Sequence, residues 1–381
     1  VKILIVRLWP DELNIKSYNC QEIGLAKALI RKGNTCDIVL YTKGESYEED
    51  FIFDNSQKIH IYHLCATTFL KNGLYGNALY KIAKKYDIIQ SSEYDQLENI
   101  SLYKKFKDKL VIYHGPYDSE YTKGYKKKCF ISDVCCLVNQ GYKKTKFIAK
   151  SELACDFLNK KGFHNCITLG VGIDTDRFEE QQDINDKLIQ LENEKREKGL
   201  KYLLYIGKIE ERRNVLFLIE ILDQLLKTDD SFRLVLIGKG DSPYVEKCIN
   251  FAKSINIDDK IIWIENLSQG ELPSLYKCCD AFLLPTKYEI FGMVILESMY
   301  FGLPVITTLN GGSSTIIKNN ETGIICPLND KNEWVSAVNK LFQDNNLRDT
   351  ISKNSSKLVS SNFTWDALAD KFIRIYKSEK G

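Results

Sequence analysis

Residues 280–312, Asp280 to Gly312, read DAFLLPTKYEIFGMVILESMYFGLPVITTLNGG. A short apolar run ends near Pro285, a loop carrying Glu289 follows, a helix is expected to begin near Gly292, and a second strand follows Pro304. Strand, loop, helix and strand in that order make one unit of a parallel α/β sheet. The backbone N–H groups around Phe291, Gly292, Met293 and Val294 open the helix and have no intrahelical partners. A diphosphate beyond the strand ends gains their hydrogen bonds and the positive helix terminus. Gly292 allows that anion close to the backbone. Glu289, on the loop, is placed to reach sugar hydroxyls. Glu297, about one and a half turns into the helix, is placed to accept both hydroxyls of a ribose. The plainer alternative makes Glu289 a capping acid and Glu297 a solvated or paired one.

The same alternation extends in both directions. In the first half, strands are expected at 1–7, 36–42, 59–64, 87–91, 110–114, 134–139, 146–149 and 166–169. In the second they are expected at 202–207, 233–237, 260–264, 280–285, 304–307 and 323–326. Helical stretches lie between them, such as 20–32, where Ile23, Ala26 and Ile30 form one stripe. The charged, aromatic-poor stretch 179–200 reads as an exposed linker or linker helix. The chain thus divides into domain 1–178, linker 179–200, domain 201–360 and a terminal segment 361–381.

Bulk composition agrees with two globular domains: 381 residues, 44% hydrophobic and 27% charged. No run reaches the ~18 apolar residues of a membrane span, and Val1–Arg7 reads as a first strand, not a secretory leader. A cytoplasmic protein is expected, peripheral at the inner face of a membrane if its basic clusters meet anionic lipid. Twelve cysteines without a C-x-x-C spacing read as structural thiols, and the four histidines form no zinc spacing with them. Residues 1–178 carry 27 Lys+Arg against 21 Asp+Glu, the remainder 26 against 30. The first-half excess is clustered at 104–107, 126–128 and 143–146. Such clusters suit a solvated face, an anionic membrane or a phosphate-bearing acceptor. No nucleic-acid recognition motif accompanies them.

The 280–312 stretch resembles the E-x7-E motif of retaining glycosyltransferases of family 4, which have the GT-B fold. Flanking matches are Ile206-Gly207-Lys208, Leu236 to Gly240, Leu275-Tyr276, Leu284-Pro285, Gly302 to Val305 and Asn320 to Gly323. Weaker ones are Gly24 to Leu29, Gly170 to Phe178 and Phe363-Thr364-Trp365. The resemblance spans nearly the whole chain. It implies two Rossmann-like domains facing across a cleft, the acceptor on the first, the donor on the second, and a C-terminal helix crossing back to the first domain.

By that resemblance the diphosphate is held by an Arg and, five residues on, a Lys. Here those positions are Lys208 and Arg213, so the types are exchanged and the charge is kept. Fixed positive charge there lowers the barrier to departure of a nucleoside diphosphate. The base is expected near Gly238 and the 264–267 loop, including Leu267. The family's His beside the donor sugar matches His114, at the carboxyl end of a strand, where open sheets bind ligands. Where relatives have a second His, this chain offers Glu93 and Asp95. The first strand–helix loop lacks the family's Gly-Gly pair, so Lys16, Ser17, Tyr18 and Asn19 are expected to serve donor or acceptor with side chains. Asp174-Thr175-Asp176 resembles a metal-binding D-x-D but sits inside the family's Gly–Asp–Arg–Phe signature, and no metal or other cofactor is expected.

The implied reaction moves a sugar from a nucleoside-diphosphate sugar to a hydroxyl with retention, a UDP-sugar being favoured and GDP-mannose the second choice. The acceptor is a glycan or lipid-linked glycan. Rival readings are a non-catalytic sugar-nucleotide-binding subunit and a GT-B-fold epimerase. A dinucleotide oxidoreductase is disfavoured because no G-x-G-x-x-G follows the first strand.

Overall fold

A computed structural model describes residues 1–16, 20–54, 56–118, 120–121, 124–178 and 186–378. The chain forms two compact units, one of Val1–Asp174 with Phe363–Gly381 and one of Thr175–Asn362. In the first, the order is β1 (Lys2–Val6), α1 (Gln21–Arg31), β2 (Thr35–Thr42), β3 (Tyr47–Phe53), β4 (Gln57–Cys65), β5 (Thr67–Phe69), β6 (Asn72–Leu74), α2 (Asn77–Ala83), β7 (Ile88–Ser92), α3 (Glu98–Phe106), β8 (Leu110–His114), α4 (Tyr125–Val138), β9 (Lys146–Ala149), α5 (Glu152–Lys160) and β10 (Cys166–Thr168). The sheet order is β10-β9-β8-β7-β1-β2-β4-β3, and β5-β6 form a separate hairpin. All neighbours pair in parallel except β3 with β4. Apolar strands such as Ile3 to Val6 are buried on both faces, as helices on both sides require.

Two stretches differ from the sequence reading. The apolar run 134–139 is not a strand; it forms the last turn of α4, with Cys136 inward and Leu137 and Val138 outward. Strand β3, YEEDFIF, has no apolar alternation and is unforeseen. It is an exposed edge held by cross-strand pairs, Lys58 and His60 to Asp50 and His63 to Glu49, each at 2.8 Å.

The C-terminal helix Trp365–Ser378 packs on α1. Its Trp365 lies so close to Gly24 and Gly172 that a Cβ at either would sit 2.3 or 2.6 Å from the ring. The three weaker family matches therefore meet at one contact. Beside it, Lys27 pairs with Asp174 at 3.1 Å, both side chains largely buried.

The second unit contains α6 (Asp186–Lys198), β11 (Lys201–Ile206), α7 (Val215–Leu226), β12 (Phe232–Ile237), α8 (Ser242–Ser254), β13 (Ile261–Ile264), α9 (Leu272–Cys278), β14 (Ala281–Leu284), α10 (Met293–Tyr300), β15 (Val305–Thr307), α11 (Ser313–Ile316), β16 (Ile324–Ile325), α12 (Lys331–Gln343) and α13 (Asn345–Asn362). Its sheet is wholly parallel in the order β13-β12-β11-β14-β15-β16. That is the doubly wound order, with the switch between β11 and β14. Much of the expected linker belongs to this unit. Leu188 and Leu191 of α6 are buried, and Lys195 pairs with Asp280 at 2.8 Å.

Candidate functional site

The loops leaving β11 and β14 at the switch point are knitted together. The N–H of Lys287 donates to the Arg212 carbonyl at 3.0 Å, and the Arg212 guanidinium donates to the Tyr288 carbonyl. The Arg213 guanidinium is hydrogen-bonded to the Glu289 carboxylate, both side chains mostly buried. Glu210 joins the cations: its carboxylate lies 2.6 Å from Arg212, 3.3 Å from Lys208 and 3.9 Å from Arg213. Lys208, half exposed, also reaches Asp241 at 3.1 Å. Three cations are thus interleaved with three carboxylates. Sequence reasoning named Lys208, Arg213 and Glu289 but missed Glu210, Arg212 and Asp241. Glu210, between two of the cations, was the available signal.

Gly311 and Gly312 fix where Glu289 stands. A Cβ on Gly311 would lie 1.9 Å from the Ile290 carbonyl oxygen, and one on Gly312 would lie 1.7 Å from that of Phe291. Only a bare backbone permits this approach, and the Gly311 N–H donates to the Glu289 carbonyl at 3.0 Å. Phe291 is buried, Gly292 caps α10 with φ of 80°, and Met293 and Val294 form the half-buried first turn.

Glu297 is 1% exposed. One of its carboxylate oxygens accepts from the Tyr276 hydroxyl at 2.9 Å, and Oε1 has no protein partner. Burial pushes this carboxyl up to about 8. It is neither solvated nor ion-paired, contrary to the plainer reading above. An orphaned buried acceptor is costly unless a ligand supplies the donor.

At the carboxyl ends of β11, β12 and β13 lies an open cavity of about 420 Å³, lined by Ile209, Gly238, Gly240, Val245, Trp263 and Glu265 among others. Gly238 donates its N–H to the Ile264 carbonyl at 2.9 Å. Leu267 lies beyond this lining, half-buried on the loop that leads into α9.

His114 belongs to the first unit and is wholly enclosed. Tyr94 and Phe147 meet its ring edgewise, and Phe157 stacks on it at 6.0 Å. Its Nδ1 lies 2.8 Å from Glu93, and Nε2 has no partner. Glu93 also accepts from the Gly115 N–H at 2.9 Å and lies 3.6 Å from Lys150. Burial alone raises the Glu93 carboxyl, but Lys150, His114 and Gly115 together bring it down to about 2. Aromatic rings pack around His114, and its Nε2, like Oε1 of Glu297, is a buried polar atom without a protein partner. Asp95 is likewise buried, 2.7 Å from Lys128.

In the first loop, Trp9 lies under the Lys128 ammonium at 4.2 Å, and Lys16 is exposed. Ser17, Tyr18 and Asn19 fall outside the described residues. The basic clusters are only partly free: Lys128 is buried, Lys143 donates to the Lys161 carbonyl at 3.0 Å, and Lys146 to the Ser378 hydroxyl at 3.0 Å. Among the described residues no group of three His, Cys, Asp or Glu is arranged to hold a metal ion, and no helix is long and apolar enough to cross a membrane. All twelve cysteines are free thiols.

Residues 186–358 match the family described as glycosyl transferases group 1. An uncharacterized glycosyltransferase of Methanocaldococcus jannaschii is 30% identical over 180 residues, 46% of this chain and 45% of that protein. An alpha-D-kanosaminyltransferase of Streptomyces kanamyceticus is 28% identical over 176 residues, again 46% and 45%. The matches thus span less than half the length of these relatives. Among solved structures, an Anabaena protein in complex with UDP superposes with a TM-score of 0.76 at 15% identity, covering 99% of this chain and 100% of that one. Sucrose-phosphate synthase from Thermosynechococcus elongatus gives 0.73 at 15% identity over 99% of each. The fold is that of the GT-B glycosyltransferases.

Proposed function

We propose that this chain, whose residues 186–358 match the family described as glycosyl transferases group 1, is a retaining glycosyltransferase. It moves a sugar from a nucleoside-diphosphate sugar to a hydroxyl of a growing glycan, polysaccharide or glycolipid. The observation that carries this reading is the joining of Arg213, Glu289 and Lys208 by the loops at the β11/β14 switch point. It unites an anion-binding pair of cations with a carboxylate for sugar hydroxyls at the end where such sheets take ligands. The diphosphate replaces Glu210 and Asp241 at Lys208, meets Arg213, and takes the N–H groups at the start of α10. Ribose hydroxyls donate to the unpartnered Oε1 of Glu297. The base enters the cavity beside Gly238. Relatives in fold have been solved with UDP and with UDP-glucose, which favours a UDP-sugar over GDP-mannose.

Chemistry follows from this placement. The bond from the anomeric carbon to the diphosphate oxygen breaks, and its electron pair goes to that oxygen. Lys208 and Arg213 stabilise the growing charge, so activity is expected to survive EDTA. The acceptor hydroxyl oxygen bonds to the anomeric carbon from the same face, and its proton passes to the departing phosphate oxygen. Glu289 orients the sugar. His114, held by Glu93, supports the donor sugar or the charge that develops on it. The acceptor side is assigned to the first unit, with a lipid-linked glycan met at the inner face of a membrane.

A panel of labelled UDP- and GDP-sugars tests the reading. Transfer, or slow release of free sugar, supports it. Epimer formation assigns an epimerase, and tight binding without loss of donor assigns a non-catalytic subunit.

A further inference from the structure

Helix α4 carries an apolar outer face that no described residue of the first unit covers. Phe130, Val134, Leu137 and Val138 are 69%, 44%, 64% and 83% exposed. Their spacing puts them on one side of the helix. Ile131 continues that side into an apolar cavity of about 220 Å³ shared with Trp9 and the tip of the β5-β6 hairpin. At that tip Leu70 and Lys71 both have positive φ, 48° and 59°. Two-residue hairpin turns of this kind normally use Asn or Gly, because side-chain-bearing residues adopt the conformation at a cost. Here the turn holds a 47% exposed leucine outward. Lysines border the apolar surface: Lys71 at the tip, Lys126 and Lys127 on the first turn of α4. Lys71 and Lys127 have no carboxylate partner among the described residues.

We propose that the outer face of α4 and the Leu70-Lys71 tip together form a docking surface for an anionic lipid bilayer. Apolar side chains enter the acyl boundary and the lysines meet the headgroup phosphates. An amphipathic helix with Phe and Leu on one side and flanking Lys suits that interface. Four such side chains fall short of the ~800 Å² that each partner of a stable dimer buries, which weighs against a second copy of the chain. The inference rests on the membrane contact proposed above and deepens it, because it places the contact on an apolar face rather than on the basic clusters alone.

Flotation of the full chain with vesicles of phosphatidylglycerol, and separately of phosphatidylcholine, tests it. Binding to phosphatidylglycerol is expected, lowered ~10-fold or more by Phe130→Ser with Leu137→Ser and similarly by Lys71→Gln with Lys127→Gln. All four positions are exposed, so circular dichroism should be unchanged. Phosphatidylglycerol binding that survives the Phe130/Leu137 replacement overturns the α4 surface and leaves the basic clusters as the membrane contact. Absence of binding at low salt overturns both. A dimer in light scattering that the same replacement dissolves assigns the face to a second copy and overturns the lipid reading.

Discussion

The guanidinium of Arg213 is hydrogen-bonded to the carboxylate of Glu289, 76 residues further along the chain. The cation assigned to the donor phosphates and the acid assigned to the donor sugar are therefore partners before any donor arrives. Replacing Glu289 frees Arg213. Glu289→Ala is expected to lower kcat by ~100-fold or more while leaving nucleoside diphosphate affinity unchanged or tighter. Calorimetry beside steady-state kinetics separates the two. A folded variant with full kcat removes Glu289 from the reaction.

Glu297 as the acceptor for the ribose hydroxyls predicts nucleotide binding that depends on pH. Its carboxyl, raised to about 8 by burial, is protonated in the empty protein at neutral pH, whereas ribose hydroxyls favour the carboxylate. Binding should release a proton near pH 7, and affinity should rise with pH up to about 8. Glu297→Gln should lose both effects. Calorimetry in buffers of different ionisation enthalpy measures the release. Stability carries the opposite sign. A carboxyl raised on folding binds more protons in the native state, so its contribution falls as pH rises from the ordinary carboxylate range through about 8. Glu297→Gln should flatten that part of the Tm profile.

Glu93 predicts the acid limb. Its folded value, about 2, lies below the usual 4.5. Its stabilisation is present above the ordinary carboxylate range and is lost as pH falls through about 2. Glu93→Gln also leaves Lys150 and His114 without their carboxylate, a loss of ~3 kcal/mol or more for a broken buried pair. Denaturant unfolding at pH 7 and at pH 3 should show wild type and variant converging at the lower pH. Equal stability at pH 7 contradicts the assigned network.

Gly311→Ala and Gly312→Ala should each displace the Glu289 loop, because the new methyl meets a carbonyl oxygen closer than 2 Å. Overpacking of this kind costs ~1–3 kcal/mol. The expected result is a lower Tm together with a loss of kcat larger than the loss of nucleotide affinity. Unchanged turnover indicates that the loop position does not matter.

The second unit was the more legible half. Its strands are continuous apolar runs such as Tyr202 to Tyr205, buried on both faces, and three of its helices begin directly after Asn214, Gly292 and Gly312. Glu289 and Glu297 stand out because a loop–helix boundary falls between them. The first unit was harder to read. Strand β3 owes its place to ion pairs with β4, which no periodicity reveals. The run 134–139 looked like a strand because α4 is apolar on both its inner and outer sides. His114 sits at a strand end as foreseen, but the rings that enclose it come from Tyr94, Phe147 and Phe157 on separate segments. Likewise, the pairing of Lys208 with Asp241 and of Lys128 with Asp95 is set by tertiary packing, so sequence showed the charges and hid which of them pair.

Titration calorimetry of the full chain with UDP and with GDP tests the central claim most directly. Wild type should bind one of them in a one-to-one complex. Lys208→Ala with Arg213→Ala should weaken that binding by at least ~100-fold, since two charge-assisted hydrogen bonds of ~1.5–3 kcal/mol each are lost. Equal affinity in wild type and variant, or no binding of either nucleotide to the wild type, would contradict a donor site at the β11/β14 switch point.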